Sequence, residues 1–201
     1  MADNKDDTLD IASGKLRTHA LSQGGALLMA IGLWAAFDSW LIVSGLPIAN
    51  GLAAIAAIPA GIVMGQIVHE WGHFSGALIG KSKFSLKPSP SILFFDFNYL
   101  DSSARQYMLL AAGGLLGSIL LLVAVWVYLP IDNTARLFLL ATAIGQLAFV
   151  LYVELPVSLG ILKGGKPLDV ISQHFGQGPD LFRRGTVLGI TIGLISLWIF
   201  S

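Results

Sequence analysis

His69-Glu70-Trp71-Gly72-His73 is the stretch whose residue types and spacing could do chemistry. At about 3.6 residues per helical turn, the two histidines fall one above the other on a single face, with Glu70 beside them. Imidazoles so spaced can share one Zn²⁺, and the carboxylate can take a proton from a water held by that ion. A catalytic zinc also needs a third protein ligand and keeps one position for water.

The elements that must position these groups are membrane spans. Of 201 residues, 55% are hydrophobic and 12% charged, about half the charged share of a soluble domain, roughly 25%. Several uncharged runs approach or exceed the ~20 residues that cross a hydrocarbon core. They imply an all-α polytopic membrane protein with five spans, at about 21–43, 52–80, 106–129, 137–162 and 185–201. These form a single transmembrane domain, 21–201, behind a polar, acidic N-terminal tail, 1–20. Residues 46–51 read as a turn, and Pro59 should kink the second span. Zero net charge gives no electrostatic case for nucleic acid, and the lack of cysteine excludes disulfides and thiolate metal sites. The lipid bilayer is the partner that composition implies. Two histidines and a glutamate inside a span are costly in lipid, and such groups are functional by default.

All 12 basic residues except Arg136 fall on one side of a five-span arrangement. The positive-inside rule then puts the N-terminus in the cytoplasm and the C-terminus on the opposite side. His69 and His73 come to lie toward the cytoplasmic end of span two. Glu154, in span four, lies at a similar depth and needs a partner there, which makes it a candidate ligand. Between spans two and three, 83–87 alternates and 92–97 is rich in strand formers, so a small hairpin is expected at the cytoplasmic interface. Gly72, Gly76 and Gly80, with Gly113 and Gly117, offer faces for close helix contact between spans two and three. Trp34, Trp40, Trp126 and Trp198 read as interfacial anchors, and Asp38 as a snorkelling or capping acid.

Three stretches together resemble the site-2 proteases, intramembrane zinc metalloproteases. His69-Glu70-Trp71-Gly72-His73 looks like their first motif, 111–118 like their small-residue helix motif, and Pro167-Leu168-Asp169 like the end of their third. Val170 stands where that third motif has glycine. The resemblance covers about 52–172 and implies a three-helix metalloprotease-like core. It implies Zn²⁺ held by His69, His73 and Asp169, with Glu70 as proton carrier, and cleavage of a membrane-spanning substrate near the cytoplasmic face. Glu154 is the alternative third ligand, and His174 a weaker one. Two other functions fit the same residues. One is a non-catalytic membrane subunit of the same ancestry, packed in a larger membrane complex. The other is a pigment- or haem-binding subunit, which would want a facing histidine, whereas His19 and His174 lie outside the five spans.

Overall fold

In the computed structural model the described residues are 4–201, with side chains described from residue 13 onward. The chain is an all-α polytopic membrane protein. Helices α1 (Asn4–Ser44), α2 (Pro47–Ile79), α3 (Ala104–Tyr128), α4 (Thr134–Leu162) and α6 (Pro179–Phe200) are long and apolar enough to cross a bilayer. A short helix, α5 (Pro167–Phe175), and a two-stranded antiparallel sheet, β1 (Phe84–Leu86) with β2 (Phe95–Phe97), complete the described elements. The tail expected at 1–20 is helical from Asn4 and continuous with the first span; Met1, Ala2 and Asp3 lie outside the described residues.

Local sequence explains the boundaries. Gly45 takes φ +64°, a conformation open to glycine, and ends α1. The turn expected at 46–51 is shorter than that: Pro47 has no N–H to lose and sits in the first turn of α2, so the helix begins at once. Ser103 and Gln106 form a capping box at the start of α3, and the Asn133 side chain accepts from Arg136 N at the start of α4. Pro59 and Pro156 lie inside continuous helices.

Helix α2 is the hub, packed against α1, α3 and α4, while α6 packs on α4. Glycines make the closest of these approaches. A Cβ on Gly72 would run into the Gly113 carbonyl, one on Gly76 into Leu109 O, and one on Gly117 would stand 2.8 Å from Val68 O. The α2–α3 contact is therefore backbone on backbone, as expected for small residues where lipid supplies no hydrophobic drive. Gly80 instead caps the end of α2. A second such seam, Gly145 against Gly189, joins α4 to α6.

Two expectations are corrected. Trp34 is buried against Ala56, Ala57, Ala60 and Leu139, a core position made by the small side chains of α2, while Trp40, Trp126 and Trp198 are exposed. Asp38 does not snorkel. It is buried and accepts two bonds from Arg136, Nε at 3.0 Å and Nη2 at 2.9 Å, and a third from Asn133 Nδ2 at 2.9 Å. Both guanidinium bonds fall on Oδ2, and the charge-assisted pair ties α1 to the start of α4. Arg136→Leu leaves that carboxylate buried without its counter-charge, bonded by Asn133 alone among the described residues, which costs about 3 kcal/mol. Its thermal transition, followed by circular dichroism in detergent, is expected roughly 10 °C below that of the parent chain.

The expected hairpin is present, with Phe84 opposite Phe97 and Leu86 opposite Phe95. Its connection is held from two helices. His19 Nε2 donates to Lys87 O at 3.0 Å, and Gln23 Nε2 to Ser91 O at 2.7 Å. Gln23 Oε1 in turn accepts from the indole of Trp71, inside the histidine motif, at 2.7 Å. Phe94 is fully buried between Trp71, Phe74 and His19. The hairpin is thus fastened to the helix that carries the histidines.

Candidate metal centre

Three helices build the centre. Helix α2 presents His69 and His73, whose rings meet edge to face with centroids 4.3 Å apart. Helix α3 approaches closely enough, through its glycines, for its backbone to reach both rings. His69 Nδ1 lies 3.0 Å from Gly114 O and 3.0 Å from Ser118 Oγ, and His73 Nδ1 lies 2.9 Å from Leu110 O. A carbonyl can only accept, so both Nδ1 atoms carry the hydrogen and donate, and both Nε2 atoms are left with lone pairs. Outer partners of this kind fix the tautomer and ring direction of metal-binding histidines.

Those two Nε2 atoms are 2.9 Å apart, and Glu154 Oε1 of α4 lies 2.8 Å from His69 Nε2 and 3.0 Å from His73 Nε2. Three acceptor atoms at such distances repel one another unless a proton or a cation lies among them. The second carboxylate oxygen, Glu154 Oε2, is buried with no hydrogen-bond partner among the described residues, a further electron pair for a cation to satisfy. His69, His73 and Glu154 are a group that could hold a metal ion. Ligands on a tetrahedral ion with bonds of about 2.0–2.1 Å stand about 3.3 Å apart, within a few tenths of an ångström of all three gaps.

Asp169 is not part of this group. It is exposed in the first turn of α5, where a carboxylate meets the positive end of the helix. The turn after α4, with Gly164 at φ +95°, starts a new helix there. Glu154 needs no such return: it already faces α2 from within α4. His174 also stays outside the group, donating through Nε2 to Val153 O at 2.9 Å and so bracing α5 against α4 beside Glu154. With His19 bonded to the hairpin connection, neither remaining histidine faces the pair.

A cavity of about 780 Å³ opens on the group and is lined by His69, Glu70, His73, Glu154, Phe95 and Tyr107, among others. Glu70 is buried, makes no hydrogen bond among the described residues, and borders the same space as the three converging atoms. Tyr99, in the loop after β2, also lines it. Partial desolvation at the cavity wall above all, then the Glu154 and Glu70 carboxylates, push its phenol above the ordinary tyrosine range.

Gly114 has a role in the centre that the sequence pattern, read as helix packing, did not reveal. A Cβ there would stand 2.6 Å from both ring nitrogens of His73. The hydrogen in that place lets the imidazole lie flat against α3. Gly114→Ala is expected to swing His73 out of line and weaken binding of a metal ion at this group 10- to 100-fold, the usual cost of a lost orienting contact. Chelator competition would measure it; unchanged affinity would count against the positioning assigned to α3.

Searches against protein-family models, curated proteins and solved structures find no match for this chain.

Proposed function

We propose that the chain is a zinc endopeptidase of the site-2 protease type that cuts a membrane-spanning protein segment. One observation carries this reading: both histidines of the motif and a carboxylate from a second helix converge on one point, in a cavity that also receives Glu70. Two imidazoles and one carboxylate are a donor set of catalytic zinc, with a position left for water. His69, His73 and Glu154 would hold the ion, which when bound supplies Lewis acidity and a water whose pKa falls toward ~7.

The rest is work for the chain's own residues. Glu70 takes the proton of the attacking water and returns it to the leaving amine nitrogen, so that one carboxylate serves both halves of the hydrolysis. The Gly114 and Leu110 carbonyls hold the two imidazoles in the tautomer that leaves Nε2 free. A substrate helix must unwind to expose its peptide bond, and each freed backbone group then needs a partner. Strand β2 borders the cavity and has β1 on one side only. An unwound segment can pair along its other edge. The distribution of basic residues supports a cytoplasmic position for this end of the bundle, and so for the cut.

Metal analysis of the purified protein, paired with cleavage of a single-span reporter in bilayer discs, tests the reading. About one zinc per chain and zinc-dependent cutting are expected. A chain that purifies without metal and gains no activity on adding zinc would favour the non-catalytic membrane subunit instead.

A further inference from the structure

Gln66 stands one turn before Glu70 and three residues before His69, on the same face of α2. It is half-buried and lines the cavity of the metal centre. It also lines a second crevice, about 330 Å³, walled by α2, α4 and α6, mostly with apolar residues but also with Thr142, Gln146 and Thr186. Ile62, Gln66 and Phe149 are the residues that border both spaces, and Gln66 is the polar one.

Its amide makes no hydrogen bond among the described residues. The other glutamines on the long helices are all engaged. Gln23 is bonded to the hairpin connection and to Trp71. Gln106 bonds Ser103 and the end of α2, and Gln146 Nε2 donates to Ile62 O at 3.0 Å. An amide drawn out of water costs free energy unless something bonds to it. This one borders both the crevice and the cavity of the candidate ligands.

We propose that Gln66 binds the main chain of the substrate segment as it unwinds into the cavity. The inference rests on the protease reading and names a substrate contact for it. An amide both donates and accepts, so one side chain can meet the N–H and the C=O of an opened helical turn, groups that find no water in the bilayer core. Gln66 bonds the peptide beside the reacting one, in the ground state and the transition state alike, so its loss should raise KM and leave kcat in place.

The probe is a fluorescent single-span peptide of about 22 leucines and alanines, interrupted by Asn-Gly toward one end, in bilayer discs. Binding is read by anisotropy on zinc-loaded Glu70→Gln protein, which holds the peptide without cutting it; cleavage is read with Glu70 intact. Gln66→Met keeps the length and removes the amide. It is expected to weaken binding and raise KM roughly three- to tenfold, the worth of one or two hydrogen bonds, with kcat and zinc content unchanged. Gln66→Leu gives the same reading if the methionine protein does not fold. Unchanged binding and KM in a variant that still cuts would overturn the inference and leave the protease reading standing. A zinc-loaded parent chain that does not cut the probe would overturn both.

Discussion

Glu154→Gln protein should purify without zinc, whereas Asp169→Asn protein should carry as much as the parent chain. The amide keeps the size and shape of the carboxylate, so packing between α4 and α2 is barely disturbed. What changes is charge and ligand strength. Glu154 Oε1 lies 2.8 and 3.0 Å from the two Nε2 atoms, and in the glutamine protein that place is taken by a neutral, weaker donor of electrons. Loss of an outer orienting partner already costs 10- to 100-fold in metal affinity, so loss of a direct ligand is expected to cost at least about a hundredfold. Asp169, exposed at the head of α5, stands outside the group. Metal content by mass spectrometry, with chelator competition for affinity, separates the two. Zinc lost from the Asp169 protein and kept by the Glu154 protein would reverse the assignment of the third ligand.

That assignment also marks how far the sequence could be read. The spans were legible because length and apolarity alone decide them. The depth of Glu154 was legible too, since counting residues along two spans that run the same way places it level with the histidine pair. Choosing between Glu154 and Asp169 was not. It depends on how the chain turns after Leu162, and Gly164 and Gly165 permit many turns. The resemblance of Pro167-Leu168-Asp169 to a motif pointed to the far side of that turn, outside the group that converges. Pro167 instead opens a helix of its own, too short for a hydropathy window to register. Small polar groups were similarly opaque. His19 looked like a tail residue, yet it is almost completely buried against the hairpin connection. Asp38 looked solitary because Arg136 lies 98 residues away in the chain. Such pairs exist only once helices are placed side by side. The glycines occupy a middle ground. Their spacing announced close contact, but only the packed backbone separates Gly72, which admits α3, from Gly114, which makes room for an imidazole.

Glu70→Gln should leave zinc bound and remove proteolysis. The two effects part because Glu70 borders the cavity without belonging to the converging group of His69, His73 and Glu154. Glutamine has the same length, so the fold and the ligands are kept, but its amide cannot accept a proton at neutral pH. In the proposed hydrolysis the attacking water then loses its base and the leaving nitrogen its acid. General acid–base assistance is worth about 10²- to 10⁴-fold, and one carboxylate acting in both steps belongs at the upper end of that range. Cleavage of a single-span reporter is expected to fall by about 10³-fold or more at constant metal content. A direct ligand behaves otherwise, since His69→Ala should lose metal and activity together. If Glu70→Gln protein also lost its zinc, Glu70 would have to be counted among the ligands, and the proton would need another carrier. If it kept both zinc and full activity, the proton would have another carrier and the role assigned to Glu70 would fail.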